Sequence, residues 1–293
     1  MTAGRPDGFA LVAVLSCLAL VTAITIAVLA VARSSASSAV AIEHRARNMA
    51  LAEAGLHYGM WTLVDAMSRD WSKIRSRTVS VSDRTVDISF QAEVGKVSLN
   101  GADEGLLSAV FAANGLSAKT ARELGAAIAD WRDDDNLRRP GGAEAADYRS
   151  DGYDYAPRNG PFQTVGELMQ VRGVTSQIFH CVHLLFTTYS NHRRVDWRAA
   201  TPAVRDVLSW SSTNGWLASV PTSGRQGRGV VGGGQRRAGA AVGILATVRG
   251  VSRSPVSMQA IVRLTGDSNR PVSVLSWKEV FDGDQQGDCS SEK

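Results

Sequence analysis

The sequence predicts an α+β fold in which a long N-terminal helix begins in a membrane and strand-like segments lie on both sides of a helical block. An unbroken apolar run extends from Phe9 to Ala32, and helical periodicity continues beyond it. Alternating segments around Val79–Phe90 and again after Ala240 enclose a stretch with helical signals between Leu106 and Gly173. Strands before and after a helical block describe an α+β domain interrupted by a helical insertion.

The apolar run holds no charged residue. At ~1.5 Å per residue it is ~36 Å long, enough to cross a hydrocarbon core of ~30 Å with some tilt. Beyond Arg33, apolar Met49, Ala52, Leu56, Met60, Leu63 and Met67 recur at intervals of three or four, a stripe that must cover something. Ala30-Val31-Ala32 resembles a secretory cleavage site, although secretory apolar regions usually span ~7–15 residues. A plain single-pass anchor accounts for the hydrophobicity as well. The positive-inside rule has only Arg5 against Asp7 to count before the run.

The helix gives way near Ser68 to period-two alternation in Val79-Ser80-Val81 and Val86-Asp87-Ile88-Ser89-Phe90, which reads as strand. Leu106 to Ala113 and Ala118 to Trp131 read as helices, the second opened by Ser117 as N-cap. Thr164 caps a third that includes Val165, Leu168 and Met169 and ends at Gly173. Strands resume at Ala240 to Val248, Ser257 to Leu264 and Val272 to Val280. The glycine-rich stretch from Arg225 to Gly243 reads as a mobile loop and Asp282 to Lys293 as a frayed tail, because neither buries enough apolar surface to offset its ordering entropy. No Gly-Lys-Ser/Thr follows the glycines, so a phosphate-cradling loop is not indicated.

A chain of 293 residues holds a membrane helix plus one or two soluble domains, and a formal charge of +4 does not demand nucleic acid. Of the three cysteines, Cys17 lies in the apolar run. Cys181 and Cys289 are left as a possible disulfide in an oxidising compartment, or Cys181 is simply buried.

The junction Arg5-Pro6-Asp7-Gly8-Phe9-Ala10-Leu11-Val12-Ala13 resembles a type IV prepilin junction, which a dedicated peptidase cuts after Gly. The resemblance places cleavage between Gly8 and Phe9, followed by methylation of the new terminus. The fifth mature position, usually Glu in such proteins, is Ala13 here. An ionisable group at bilayer depth costs about 2.5–3.5 kcal/mol and is kept where it has a partner, so its absence suggests a subunit with no neighbour to pair with. Glu93-Val94-Gly95-Lys96-Val97-Ser98-Leu99-Asn100, Ala127-Ile128-Ala129-Asp130-Trp131-Arg132-Asp133, Asn159-Gly160-Pro161-Phe162-Gln163-Thr164-Val165-Gly166-Glu167-Leu168 and Val171-Arg172-Gly173-Val174 are similar in order and spacing to general secretion pathway protein K. That family is the large minor pseudopilin of the type II secretion system.

The resemblance, which covers roughly residues 4 to 190, implies a leader at 1–8, a transmembrane stretch at 9–32, a periplasmic continuation of the helix at 33–67, a pilin-like α/β body from 68–100 and 184–293, and an inserted all-α domain at 101–183. It also implies a non-catalytic tip subunit of the pseudopilus that takes part in its initiation and in protein secretion across the outer membrane. Such a subunit is anchored once in the inner membrane with its C-terminal domain in the periplasm. The implied partners are the prepilin peptidase and the I-type and J-type minor pseudopilins, with no nucleic acid.

Between Asp130 and Asp154 the chain gathers Asp130, Asp133, Asp134, Asp135, Glu144, Asp147, Asp151 and Asp154. Calcium takes six to eight oxygen ligands, which a carboxylate-dense loop supplies. The EF-hand pattern fails, since counting from Asp133 puts Arg138 at the glycine position, and counting from Asp147 puts Arg158 at the final ligand. From the residues alone, a solvated loop whose aspartates pair with Arg132, Arg138, Arg139 and Arg149 stays open. The resemblance implies calcium in the loop 130–154, with Asp133, Asp135, Glu144 and Asp147 as ligands and Asp134 and Asp151 secondary.

Enzymatic activity finds no support, because His44, His57, His180, His183 and His192 never stand at metal-ligand spacing with cysteines and Cys181 lacks a nucleophile signature. The alternative function is a membrane-anchored helix-hairpin-helix protein for DNA binding or uptake, suggested by Gly115-Leu116-Ser117 and Gly173-Val174-Thr175. Neither turn keeps the second glycine that lets backbone amides approach a phosphate, and the neighbouring aspartates would repel one.

Overall fold

The computed structural model describes residues 7–66, 75–217, 239–249 and 255–280, with side chains from Leu11 onward. Helix α1 runs from Asp7 to Asp65 without a break. Its apolar N-terminal half is solvent-exposed in the isolated chain and is long and apolar enough to cross a membrane. The C-terminal part packs on a sheet: Ala52, Leu56 and Leu63 are fully buried, Met60 nearly so, and Met49 packs at the edge of the same core. The stripe read in the sequence is thus the helix–sheet contact, apart from Met67, which lies outside the described residues.

The helix approaches the sheet closely because its contact face carries glycines. A Cβ on Gly55 would stand 2.7 Å from Val86 Cγ1, and one on Gly59 would stand 2.7 Å from Ile244 Cγ2. Both neighbours are β-branched and stiff at χ1, so neither can swing aside.

The sheet is antiparallel, in the order β1-β2-β5-β6-β7. β1 (Ser76–Val81) and β2 (Arg84–Ala92) form a hairpin through Ser82, whose φ of 55° is the left-handed conformation such a tight turn requires. Along β2, Val86, Ile88 and Phe90 face the helix while Thr85, Asp87 and Ser89 face away. β5 (Ala241–Arg249), β6 (Val256–Leu264) and β7 (Val272–Val280) complete the sheet within a residue or two of the expected spans. Arg45 on α1 reaches Glu279 on β7 at 2.7 Å, a largely exposed pair of small energetic weight.

Between β2 and β5 the chain leaves to build a helical lobe with its own core. The lobe is pinned at its root by a short parallel pair, β3 (Val97–Ser98) with β4 (Phe186–Thr187). Helices α2 (Glu104–Ala113), α3 (Ala118–Arg132), α4 (Ala145–Ser150), α5 (Ser176–Val182) and α6 (Pro202–Thr213) surround a cluster that includes Leu107, Phe111, Ile128, Tyr148, Leu168, Phe186 and Leu208. Ser117 caps α3 as expected, accepting from Thr120 N at 3.1 Å.

The structure differs from the sequence reading in two places. The segment opened by Thr164 is a 3-10 helix, Val165–Gln170, ending short of Gly173. The helical unit also extends past the expected limit of 183. Val195, Ala200, Val204, Val207 and Leu208 belong to the lobe's core, so the apolar side chains that follow β4 pack with the lobe, while Ala199 O accepts from Gln91 of β2 at 2.9 Å. The physical reason is α6, whose apolar face is matched to α2. Thr201 caps it by accepting from Val204 N at 3.3 Å, and Pro202 pre-sets its first turn.

Cys17 is a free thiol, whereas Cys181 is buried and disulfide-bonded. Cys289 lies outside the described residues, as do 225–238 of the glycine-rich stretch and the tail, while Ala241–Gly243, expected in that loop, are the start of β5.

Candidate metal centre

The acidic cluster forms at the C-terminal end of α3, where the chain turns back toward α4. Asp130 sits in the last turn of α3, Asp133 is its C-cap, and Glu144 is the N-cap residue of α4. Asp135 lies between them, fixed by an Asx turn in which its Oδ1 accepts from Leu137 N at 2.7 Å. The return is tight at Gly142, where a Cβ would stand 2.0 Å from Asp130 Oδ2.

Asp133, Asp135 and Glu144 each present an oxygen within 4.8 Å of the other two, and they form the one such His/Cys/Asp/Glu group among the described residues. Glu144 is 6% exposed, yet neither of its carboxylate oxygens has a hydrogen-bond partner. Asp133 Oδ1 is likewise buried without a partner, and so is Asn159 Oδ1. A buried polar atom left unpaired costs about 1–3 kcal/mol, more when charged, and here several converge. Burial first, then the neighbouring charges of Asp130, Asp133 and Asp135, pushes the Glu144 carboxyl above the usual carboxylate range. A hard divalent cation held among Asp133, Asp135 and Glu144 would relieve the carboxylate penalties together. The orphaned oxygens, all carboxylate or amide, are the donor chemistry calcium takes.

Asp147 is not in the group. Its Oδ2 accepts from Glu144 N at 2.9 Å and its Oδ1 accepts from the Arg138 guanidinium at 2.7 Å. Those bonds, the backbone one foremost, hold its carboxyl below the ordinary range. Asp147 therefore caps α4 and orients Glu144 from behind. Asp134 is exposed, and Asp151 pairs with Arg172.

Arg139 supplies a fixed positive charge on the inner side of the cluster. Its Nη1 donates to fully buried Asp130 at 2.7 Å and also to Asp133 Oδ2, and its backbone N donates to Asp130 Oδ2 at 3.2 Å. The two side-chain bonds raise the guanidinium's proton affinity further. Asp130 is thus satisfied, while Asp133 keeps one oxygen bound and one open.

Asn159 was not legible as a site residue. Its side-chain amide donates to Asp135 O and to Asn136 Oδ1, each at 3.0 Å, and its φ of 49° is the left-handed conformation Asn tolerates. The Asn159-Gly160-Pro161 turn signal was present, but nothing local places it beside Asp135. Beneath the loop, Trp131 packs against Tyr148, Tyr155 and Phe162 with ring centroids 6.0–6.5 Å apart, a rigid floor for α3 and α4.

The two turns that suggested a DNA-binding hairpin are closed by their own hydroxyls. Gly115 and Gly173 both have positive φ, but Ser117 and Thr175 accept from Thr120 N and Ile178 N, the amides that would otherwise face a phosphate.

Comparison with known proteins bears on the lobe and on the whole fold. The family model of type II secretion system (T2SS) protein K, first domain, matches residues 93–187. The fold is similar to that of a chain in the crystal structure of the GspK-GspI-GspJ complex from the enterotoxigenic Escherichia coli type 2 secretion system. The TM-score is 0.52 at 13% identity, over 80% of this chain and 99% of that one. Comparison with curated proteins returns no match. The α+β architecture expected from the sequence is therefore the one observed, and the segment 93–187 matches the family model of type II secretion protein K.

Proposed function

We propose that this chain is a non-catalytic minor pseudopilin at the tip of a type II secretion pseudopilus, contributing to pseudopilus initiation and to protein export across the outer membrane. The observation that carries the reading is the division of α1. Its N-terminal half exposes Leu11, Leu15, Leu18, Ile26 and Leu29, while its C-terminal half is bound to a sheet that bears a protein K lobe. An apolar half-helix of this kind is stable against lipid and equally stable against neighbouring helices, so one surface serves a membrane-anchored state and an assembled state. The partners proposed are I-type and J-type minor pseudopilins, in keeping with the complex in which the similar chain was crystallised. The chain would be anchored once in the inner membrane with sheet and lobe in the periplasm, and calcium would be held by Asp133, Asp135 and Glu144.

Processing tests the reading. The prepilin peptidase is expected to cut between Gly8 and Phe9, so N-terminal sequencing of the membrane-extracted protein should begin at a methylated Phe9. Gly8→Val should leave the precursor uncut, since a branched side chain obstructs an extended backbone in a peptidase site. A terminus beyond Ala32 would instead mean ordinary secretion.

Tip placement makes a separate demand on Ala13. A subunit with nothing above it gains no partner for a carboxylate in the membrane, so Ala13→Glu is expected to give no increase in pseudopilus assembly and to lower membrane insertion. Longer or more numerous filaments with Ala13→Glu, counted by electron microscopy, would place the subunit elsewhere.

A further inference from the structure

A cleft of about 1630 Å³ lies where the lobe meets the sheet and carries five arginines, Arg132, Arg139, Arg193, Arg194 and Arg263, against the carboxylates of Asp133 and Asp196. Two of the arginines are already committed. Arg132 donates to Leu99 O and Ala102 O, and Arg139 to Asp130 and Asp133. Arg193, Arg194 and Arg263 are exposed and make no ion pair among the described residues. Three guanidiniums without ion pairs on one cleft repel one another, and a bound anion lowers that cost.

We propose that this cleft binds an extended, carboxylate-rich segment of a partner polypeptide. Guanidinium is the group that matches carboxylate and phosphate in a bidentate fork. Size separates the candidate ligands. The cleft is larger than the roughly 300–1,000 Å³ of small-molecule sites, and its cations come from separate elements, the loop after β4 for Arg193 and Arg194 and strand β6 for Arg263. Side chains alternating along an extended peptide suit cations set on separate elements of so large a cleft. Asp133 and Asp196 face the same space and would repel the continuous charge of a nucleic acid backbone, but a peptide can leave gaps opposite them. Thr188 and Asn191 also line the cleft and offer polar contacts to a peptide backbone.

The test uses the full chain in neutral detergent and a fluorescein-labelled octaglutamate peptide, followed by anisotropy at low salt. Saturable binding is expected, weakened at least tenfold by R193Q/R194Q/R263Q and less than twofold by R33Q/R77Q/R149Q, which removes equal charge from exposed positions outside the cleft. Unchanged melting of both triple variants shows that the loss is not unfolding. Raising salt from low to about 0.2 M should weaken binding, as expected for exposed charges. Citrate at equal carboxylate concentration should not displace the peptide. Absence of binding, equal effects of the two triple variants, displacement by citrate, or tighter binding of an oligothymidylate than of the peptide would each overturn the proposal.

Discussion

Calcium added to the chelator-stripped chain is expected to raise its melting temperature by about 5–10 °C at a free-ion concentration a hundred times Kd. The ion contributes RT ln(1 + [L]/Kd), about 2.7 kcal/mol, and each kcal/mol moves a protein of this size by about 2–4 °C. Magnesium should do less, because it demands a tight octahedral shell that an irregular loop supplies poorly. The sharper part of the expectation is a reversal of sign. Glu144 is buried, its oxygens have no partner, and its carboxyl is pushed up by burial and by Asp130, Asp133 and Asp135. A carboxyl raised in the folded state costs stability once pH exceeds its unfolded value, so the ion-free fold should gain from acidification through that window. Glu144→Gln should therefore stabilise the chain in chelator and abolish the calcium shift. Asp133→Asn should also abolish the shift. Asp147→Asn should cost about 1 kcal/mol through the lost cap and ion pair and leave the calcium shift in place. Differential scanning calorimetry in calcium and in chelator reads all of these. A melting temperature indifferent to both would return the cluster to a solvated loop.

Gly59→Ala is expected to destabilise the chain by about 1–2 kcal/mol even though alanine is the better helix former by about 1 kcal/mol. The added methyl would stand 2.7 Å from Ile244 Cγ2 and 3.3 Å from Ile88 Cγ2, and overpacking of a well-filled core costs about 1–3 kcal/mol. Gly59→Leu should exceed 3 kcal/mol by forcing α1 off the sheet. Thermal melting and limited proteolysis of the hairpin β1–β2 measure both. A stabilised Gly59→Ala would mean that the helix does not approach the sheet this closely.

The elements legible in the sequence were those whose burial writes a local period. Ala52, Leu56, Met60 and Leu63 repeat every three or four residues because one face of α1 is covered, and Val86, Ile88 and Phe90 alternate because one face of β2 is. The extent of the lobe was not legible, since β4 is too short to show a period and its parallel partner β3 lies far back in the chain. The same limit applied at the metal centre. Asp147 and Glu144 are both carboxylates in one loop, and which of them faces the cavity is decided by a cap and by Arg138. Asn159 arrives beside Asp135 through the tertiary path of the chain, which no spacing encodes.

The placement of the lobe between neighbouring strands sets an order of events for a chain that emerges N-terminus first as it is synthesised and crosses the membrane. Ala92 at the end of β2 is paired with Val242 near the start of β5, so β2 waits for about 150 residues before its partner exists. At roughly 5–20 residues per second, that is about 7–30 s during which the β1–β2 hairpin presents an open edge. The lobe's core, by contrast, lies wholly between Val97 and Leu208 and can close first. A lobe that condensed late would hold the two strands apart and leave that edge free to pair with another chain, so rapid closure of the inserted lobe protects the sheet it interrupts.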